Sequence, residues 1–289
     1  MTAIEAFSAA RLSTCGCGET LRNAAFPCNE REMTELLTAK GYNEKLVLGA
    51  LSNTLVLTDY CGLAILTNNY RGLSVCGTRV KANAGERLTK VCAFCAENCL
   101  SGLENFCGIP GSVGGSIRGN AGAFGKEICE SIVSIELYDV KKERKMLLTP
   151  QEIAFSYRNT SLNDDYAVLS AEFELKKDSF ENISKRLSEI KKSRAEKQPR
   201  GKSLGSVFKK ANGVSAGEII ERAGLKGFVH AGVRVSEKHA NFFINEGNCA
   251  ARDYYETILI VEETVKERLG IKLEREVRII GEDCSRYGI

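Results

Sequence analysis

A glycine-rich stretch from Gly108 to Gly125 carries the clearest chemical signal in this sequence. Seven of its eighteen residues are glycine and only one is charged. So many glycines are unfavourable in a helix or a strand, because each costs chain entropy and packing. A glycine-rich backbone lets N–H groups approach a ligand closely, and the usual ligand is a phosphate. A flexible loop is the alternative, but Pro110, Ile117 and Phe124 would be unusual in a solvated linker.

Cysteine spacing offers a second possible chemistry, a metal site. Cys92, Cys95 and Cys99 are three and four residues apart, which is the repeat of one helix face. No fourth Cys or His lies at ligand spacing nearby, and free cysteine packs like a small apolar residue. We therefore expect these cysteines to fill a helical core, and we predict no metal. Cys15 and Cys17 form a second pair, which also lacks a partner pair.

Composition and charge exclude several classes of protein. Apolar residues make up 43% and charged residues 27% of the 289 residues, as in a globular protein long enough for two or three domains. A net charge of +3, without a basic cluster that contains aromatics, gives no reason to expect nucleic acid as a partner. No apolar run approaches the ~20 residues of a membrane span. Neither a signal peptide nor disulfides are expected despite 12 cysteines, so we predict a cytoplasmic protein.

The elements that must position these residues begin with a small α/β part over residues 1–65. Asn29, followed three residues later by Glu32, is typical of a helix start. Short apolar segments on either side of this helix predict strands. The predicted elements are strands at 11–14, 46–48 and 54–58 and one helix that starts at Asn29 and ends at Gly41.

The second part, over residues 66–178, is expected to be rich in strands. Val133, Ile135 and Leu137 alternate with polar residues, which is the pattern of a half-buried strand. The other predicted elements are a helix over 84–100, the glycine-rich loop, a turn at 155–160 and a strand over 169–175.

A third part, over residues 179–289, combines helices and strands. The stretch 197–205 is the best candidate linker. Ser215 and Glu218 have the spacing of a capping box, and Gly224 is expected to end that helix. The remaining predicted elements are helices over 179–196 and 253–269 and strands over 233–235, 241–245 and 276–280.

Short motifs follow one another along residues 10–281. They are Gly108-Ile-Pro-Gly-Ser-Val-Gly-Gly, Asn120-Ala-Gly-Ala-Phe-Gly, Tyr157-Arg158, Gly205-Ser-Val-Phe-Lys, Ser215-Ala-Gly, Gly224-Leu-Lys-Gly, Val235-Ser-Glu-Lys-His-Ala-Asn and Glu276-Val-Arg-Ile-Ile-Gly. Each motif is modest alone, but in this order they are highly specific. With them the sequence resembles the bacterial UDP-N-acetylenolpyruvoylglucosamine reductases, which are flavoenzymes of peptidoglycan synthesis.

The resemblance implies an α+β fold in three parts. The first two parts, 1–65 and 66–178, would be the subdomains of a two-part FAD-binding fold of the vanillyl-alcohol-oxidase type, with FAD between them. The third part, 179–289, would be an α+β domain that covers the flavin and binds the UDP-sugar. The chain looks like the short type of the family, which lacks an extra loop with a substrate-covering tyrosine.

The resemblance also implies an activity. NADPH would reduce FAD, and the flavin would reduce the enolpyruvyl group of UDP-N-acetylglucosamine enolpyruvate to give UDP-N-acetylmuramate. The protein would thus serve cell wall biogenesis, cell shape and cell division, and we expect a monomer whose partner is the UDP-sugar. Two alternatives stay open: a carbohydrate oxidase with the same FAD fold, and a non-enzymatic paralogue that binds flavin or UDP-sugar.

Site residues are carried over from the family position by position. Ser206 matches the general acid, Arg158 the arginine that holds the substrate carboxylate, and Glu276 the catalytic glutamate. The positions that match FAD contacts are Gly49, Ala50, Leu51, Ser52, Asn53, Gly108, Pro110, Gly111, Ser112, Gly114, Gly115, Asn120, Ala121 and Gly122. The positions assigned to the substrate are Tyr157, Lys197, Lys210, His239 and Asn241.

The sequence departs from the family pattern at three places. Leu51 replaces a glycine of the first phosphate loop, where a Cβ could crowd the FAD pyrophosphate or force another backbone path. Lys210 and Ala211 replace an Asn-Pro pair, and Arg118-Gly119 replaces an aromatic–Met pair. These changes concern FAD affinity and substrate geometry, whereas the catalytic trio is intact.

Overall fold

The structure is a computed structural model that describes residues 3–247 and 249–281. Its helices are α1 Glu30–Leu37, α2 Leu88–Glu97, α3 Val113–Arg118, α4 Phe180–Lys197, α5 Ala216–Arg222 and α6 Ala251–Leu269. Its strands are β1 Ile4–Ser8, β2 Thr20–Ala25, β3 Lys45–Leu48, β4 Thr54–Val56, β5 Tyr60–Leu66, β6 Leu73–Cys76, β7 Arg79–Asn83, β8 Leu100–Ser101, β9 Gly122–Ala123, β10 Lys126–Glu127, β11 Ile132–Asp139, β12 Arg144–Leu148, β13 Phe155–Ser156, β14 Asn159–Thr160, β15 Tyr166–Glu174, β16 Lys176–Lys177, β17 Val229–His230, β18 Val233–Val235, β19 Phe243–Asn245 and β20 Arg278–Ile280.

The chain divides into two compact units that alternate along the sequence. The first unit comprises Met1–Glu5, Ala24–Ala50 and Gly62–Arg194. The second unit comprises Ala6–Asn23, Leu51–Cys61 and Ala195–Ile289. The strands β1, β2 and β5 cross the boundary between units along the chain and belong to a four-stranded sheet in the order β1–β2–β5–β3.

The first unit is built on a five-stranded antiparallel sheet in the order β12–β11–β15–β7–β6. Ile135 lies opposite Ala171, and Leu137 lies opposite Val168, so the alternating apolar residues of β11 and β15 reach one core. The strands predicted around 133–137 and over 169–175 are thereby confirmed. The helix predicted from Asn29 is also confirmed, because the Asn29 side chain accepts from the Glu32 amide at the start of α1.

The cysteine-faced helix is shorter than predicted, and its third cysteine lies outside it. Cys92 and Cys95 are buried in α2, which confirms that they pack in the core. Cys99 is exposed and has a φ of 56°, in the left-handed region. Helix α2 ends at Glu97 because the chain turns there into the short strand β8.

The glycine-rich stretch contains a helix, so the expectation of a continuous loop was wrong. Helix α3 begins after Ser112, whose hydroxyl accepts from the Gly115 amide, and it buries Val113 and Ile117 in the core. A Cβ on Gly114 would lie 3.0 Å from the Cβ of Ala84, tighter than most contacts of this kind. Apolar burial and close packing outweigh the low helix propensity of glycine here.

The second unit places a three-stranded sheet, β17–β18–β19, with helices α5 and α6 around a separate core. A parallel pair joins β4 to β20. Helix α6 is confirmed and ends at Gly270, which has a φ of 68°. The capping box predicted at Ser215 is not formed, since that side chain makes no cap hydrogen bond at α5. The strand predicted at 11–14 was also wrong, because Ala9–Arg11 is a 3-10 turn and the strand β2 follows only at Thr20.

Among the described residues, no helix is both long and apolar enough to cross a membrane.

Gly85 provides a test of the packing around the glycine-rich region. A Cβ on Gly85 would overlap the carbonyl oxygen of Thr67, which is backbone and cannot swing away. We expect Gly85→Ala to lower the free energy of unfolding by at least about 2 kcal/mol in urea titrations. The control is Gly119→Ala, because its Cβ would meet its nearest atom at 3.5 Å, and we expect a change within about 0.5 kcal/mol. Equal unfolding midpoints for the two variants would contradict this packing.

Candidate active site

In the first unit, the turn after β3 meets the start of the glycine-rich stretch. A Cβ on Gly49 would overlap the Oγ of Ser112, so these two backbones approach as closely as glycine permits. Ser112 is buried, and its hydroxyl is held by the Gly115 amide. The structure therefore brings the predicted cofactor residues at 49–50 together with those at 111–115.

The first amides of helix α3 are already bonded within the first unit. The amide of Val113 donates to Glu86, that of Gly114 donates to Ala84, and that of Gly115 donates to the Ser112 hydroxyl. These three amides are therefore not the ones that would cradle a phosphate. The missing Cβ atoms of Gly114 and Gly115 face Ala84 and Ser112, so these glycines let the backbone pack closely, a distinction that the sequence could not show.

A second junction in the first unit links the Asn120 motif to a tight hairpin. Strands β13 and β14 flank Tyr157 and Arg158, and the Arg158 Nη2 donates to the Gly122 carbonyl at 2.8 Å. The Asn120 amide donates to the Ser156 carbonyl at 3.0 Å and to Glu127 at 2.7 Å. Glu127 is a polar partner of this motif that sequence reasoning missed.

Two residues of this junction have backbones in the left-handed region. The φ of Asn120 is 40° and that of Arg158 is 55°. Backbone of this kind is maintained only where the surroundings fix it, and it is common at functional sites. The Arg158 guanidinium also lies 5.4 Å from the centroid of the exposed Tyr157 ring, so the side chain is oriented from two directions. A guanidinium held this way can bind a carboxylate.

The side chain of Asn120 is completely buried and includes a hydrogen-bond acceptor that is not used. Its Oδ1 has no hydrogen-bond partner among the residues that the structure describes. Buried acceptors are satisfied in most proteins, so an orphaned one marks a place where a bound group with an N–H or O–H fits.

In the second unit, one short segment brings three predicted residues together. The Val207 amide donates to the Asn241 carbonyl at 2.9 Å, and the Val207 carbonyl accepts from the Glu276 amide at 2.8 Å. Ser206 therefore directly precedes Val207, whose amide and carbonyl are both hydrogen-bonded to other segments. Both Ser206 and Glu276 are half-buried, which leaves each of them partly open to a ligand.

The loop at 51–53 lies beside the same segment. The Asn53 side chain donates to the Glu276 carbonyl at 3.1 Å, and the Arg278 amide donates to the Asn53 carbonyl at 3.0 Å. Thr14, another residue that sequence reasoning missed, donates through its hydroxyl to the Ser203 carbonyl at 2.6 Å. These contacts fix the predicted residue Asn53 against the backbone that carries Glu276.

Leu51 keeps the backbone conformation that a glycine would have. Its φ is 49°, in the left-handed region, and its side chain is only 3% exposed. An L-residue in this conformation costs roughly 1–2 kcal/mol, which burial of the leucine side chain can offset. The side chain is thus buried in the protein, and the backbone at this position has a conformation that glycine adopts readily.

His239 packs inside the second unit rather than projecting from it. Its Nδ1 accepts from the Asn241 amide at 3.3 Å, and its ring lies edge-on to Phe242 at 5.0 Å. A Cβ on Gly217 would lie 3.0 Å from its Cε1. Burial lowers the pKa of the His239 imidazole, so the ring is neutral at pH 7.

The two lysines assigned to the substrate, Lys197 and Lys210, are exposed. Two open grooves have linings that contain none of the predicted site residues, although Arg87 in one of them forms a bridge with Ser112. One, of about 380 Å³, lies in the second unit around Arg200, Arg234 and Lys238. The other, of about 520 Å³, lies in the first unit around Arg71, Arg87 and Lys90.

Cys15 and Cys17 gain a third partner that the sequence did not reveal. They are buried with Cys249 in the second core, and the sulfurs of Cys15 and Cys17 are 3.3 Å apart. A hydrogen bond with Cys17 lowers the pKa of the Cys15 thiol to about 7, whereas the pKa of Cys17 is raised. Within residues 3–247 and 249–281, no group of three Cys, His, Asp or Glu side chains is arranged to hold a metal.

Comparison with known proteins identifies the family. Residues 21–143 match the model of an FAD binding domain, and residues 197–280 match the C-terminal domain of UDP-N-acetylenolpyruvoylglucosamine reductase. The reductase of Streptococcus uberis is 41% identical over 265 residues, which cover 90% of this chain and 87% of that protein. The chain belongs to the UDP-N-acetylenolpyruvoylglucosamine reductase family.

Other members of the reductase family agree. The reductase of Latilactobacillus sakei is 39% identical, over 89% of this chain and 86% of that protein. The crystal structure of the reductase from Thermus caldophilus superposes with a TM-score of 0.85 at 29% identity, covering 97% of this chain and all of that one. The predicted fold class, an α+β FAD-binding fold followed by the C-terminal domain of this reductase family, is therefore confirmed.

The buried state of His239 can be measured by NMR, because the chain has only two histidines. We expect the Cε1–H signal of His239, assigned with His239→Gln, to titrate below the ordinary pH of about 6.5. The unfolded chain then binds this proton at a higher pH than the folded chain does. The His239 contribution to stability is therefore present above the unfolded pKa and is lost as the pH falls from there through the folded pKa. The control is His230→Gln, and a midpoint at or above 6.5 for His239 would contradict the packing.

Proposed function

We infer that this protein is an FAD-dependent oxidoreductase that reduces UDP-N-acetylglucosamine enolpyruvate to UDP-N-acetylmuramate in peptidoglycan synthesis. The observation that carries the inference is the match to named reductases over about 90% of the chain. We also propose the finer points that the resemblance implies. NADPH is the reductant, the protein is a cytoplasmic monomer, and residues 1–65, 66–178 and 179–289 are its two FAD subdomains and its substrate domain.

The residues proposed to hold FAD fit a tightly bound group. Gly49 and Ser112 leave no room for a Cβ between them, and Leu51 follows the backbone path of a glycine. The orphaned Oδ1 of Asn120 is an acceptor for a donor on the cofactor. When bound, FAD supplies the relay of a hydride from NADPH to the substrate. The other proposed contacts are Ala50, Ser52, Asn53, Gly108, Pro110, Gly111, Gly114, Gly115, Ala121 and Gly122.

Arg158 is proposed to bind the carboxylate of the enolpyruvyl group. A guanidinium presents two parallel N–H donors that match a carboxylate, and its fixed charge stabilises negative charge that develops there. One Nη atom is anchored to the Gly122 carbonyl, so the side chain has little freedom to lose on binding. The neighbouring Tyr157 is exposed and is proposed to contact the substrate with Lys197, Lys210 and His239.

Ser206 is proposed to donate the proton that completes the reduction. A hydroxyl is a weak acid, so it must be placed accurately beside a strong base, which here is the carbon next to the carboxylate. Its position is supported by the hydrogen bonds that hold Val207 on both sides. Glu276, whose own amide makes one of these bonds, is proposed to donate a hydrogen bond from a protonated carboxyl group to the negative charge that develops on the substrate.

The absorbance spectrum of the purified protein tests the cofactor and the substrate together. We expect a flavin band that bleaches with NADPH and returns, without oxygen, only when UDP-N-acetylglucosamine enolpyruvate is added. Return of the band with simple sugars, accompanied by oxygen consumption in air, would instead identify a carbohydrate oxidase. Protein that stays colourless after incubation with FAD would identify a non-enzymatic paralogue and overturn the proposal.

Ser206→Ala separates proton donation from the first half of the reaction. We expect flavin reduction by NADPH to be unchanged, and flavin reoxidation by the substrate to slow by about 10²-fold, which is usual for the loss of a general acid. Stopped-flow absorbance measures both steps. Ser215→Ala is the control, because it removes an exposed hydroxyl of the same unit that makes no cap hydrogen bond, and it should leave both rates as in the wild type. Unchanged reoxidation in Ser206→Ala would remove Ser206 from the mechanism.

A further inference from the structure

The side chain of Asn241 behaves like a strand partner for Phe208. Its Oδ1 accepts from the Phe208 amide at 2.9 Å, and its Nδ2 donates to the Phe208 carbonyl at 2.8 Å. Asn241 is 5% exposed and Phe208 is 1% exposed, so water does not compete for these bonds. Both ends of the Asn241 amide are thus used by one residue, two positions after Ser206.

The backbone of this segment explains why a side chain is needed. Phe208 lies opposite Arg275 in an antiparallel β-bridge. The hydrogen bonds of this bridge are made by the residues on either side of Phe208 and Arg275. Lys209 donates to Glu274, and Glu276 donates to Val207. The polar groups of Phe208 itself therefore point to the opposite side, where the backbone pairing consists of the single bridge between Ser206 and Phe242. The Asn241 amide completes that pairing with one donor and one acceptor.

The backbone of Asn241 is itself fixed. Its amide donates to Nδ1 of His239 at 3.3 Å, and its carbonyl accepts from Val207. The amide of His239 in turn donates to the buried Ser236 hydroxyl at 3.3 Å. Asn241 therefore joins a fixed loop to the Ser206–Phe208 backbone through three hydrogen bonds.

We propose that Asn241 is a positioning residue that holds the Ser206 hydroxyl in place through the Phe208 backbone. This inference rests on the proposed function, because it takes Ser206 as the proton donor. It replaces the expectation that Asn241 contacts the substrate, since both ends of its 5% exposed side-chain amide are bonded to the Phe208 backbone. Small displacements of a reacting group cost large factors in rate, so a residue that fixes Ser206 acts on the rate without touching the UDP-sugar.

The first experiment compares Asn241→Leu with the wild type in the two half-reactions. Leucine has the same branched arrangement of heavy atoms, with a larger volume, and makes neither hydrogen bond. We expect flavin reduction by NADPH to be unchanged, and reoxidation by UDP-N-acetylglucosamine enolpyruvate to slow by about 10-fold or more. The matched control is Asn245→Leu, since Asn245 is also 5% exposed and bonds the Cys15 carbonyl and the Gly247 amide instead. Equal reoxidation rates in Asn241→Leu and the wild type would overturn the proposal.

A double variant distinguishes positioning from contact with the substrate. If Asn241 acts through Ser206, adding Asn241→Leu to Ser206→Ala should slow reoxidation by less than about threefold, because the hydroxyl it positions is already gone. A residue that contacts the substrate independently would give the product of the two single effects, and that result would also overturn the proposal. Wild-type protein that the substrate cannot reoxidise would instead refute the proposed function.

Asn241→Asp keeps the test available if the leucine variant does not fold. A carboxylate can accept from the Phe208 amide but cannot donate to the Phe208 carbonyl, whereas a protonated carboxyl can do both. Burial raises the pKa of an aspartate, so lowering the pH from 8 to 6 should restore reoxidation in this variant relative to the wild type. A ratio of variant to wild-type rate that does not change with pH would contradict a hydrogen-bonding role.

Discussion

The second unit depends on the hydrogen bonds made by a short run of main chain from Ser206 to Lys209. This run is only four residues long, yet it is bonded on one side to Asn241 and on the other to Glu274 and Glu276. Val207 and Phe208 are buried, and a buried backbone group without a partner costs about 1–3 kcal/mol. Burial therefore forces the three segments into one arrangement, and the same arrangement sets where Ser206 and Glu276 lie.

The first unit depends on close approach between backbones. Gly49 lies against Ser112, Gly114 lies against Ala84, and Gly85 lies against the Thr67 carbonyl, so any Cβ at these positions would need its neighbours to move. Glycine at these positions is thus a packing requirement of the fold as well as a feature of the proposed cofactor site. This explains how a helix can form in a stretch whose glycine content disfavours it.

In both units, polar side chains hydrogen-bond to the main chain close to the residues proposed to do the chemistry. In the first unit, the Asn120 amide and the Gly122 carbonyl hold the hairpin that carries Arg158. In the second unit, the Asn53 amide is bonded to the Glu276 carbonyl. Each of these contacts uses a side-chain amide or a guanidinium to satisfy a main-chain group. The proposed site residues are therefore held by the hydrogen bonding of the fold itself.

Sequence patterns were sufficient to predict those helices and strands whose start, end or buried face depends on neighbouring residues. The cap at Asn29, the alternation in β11 and the glycine after α6 each depend on residues within one turn or strand, and all were confirmed. The family and the fold class were also evident, because the motifs follow one another in a specific order. Helix α3 was missed, since its stability comes from burial of Val113 and Ile117 against residues distant in sequence.

Motif order and hydrophobic periodicity are properties of the chain alone, so the family, the fold class and the candidate residues could be predicted without coordinates. The hydrogen-bond partner of each candidate side chain became known from the three-dimensional structure. It directed the Asn241 amide to Phe208, gave Leu51 a left-handed backbone, and placed the Cys249 thiol beside Cys17. Contacts in the second unit join segments that are as much as 230 residues apart in the sequence. Pairing over such distances is set by packing and by the need to satisfy buried hydrogen-bonding groups.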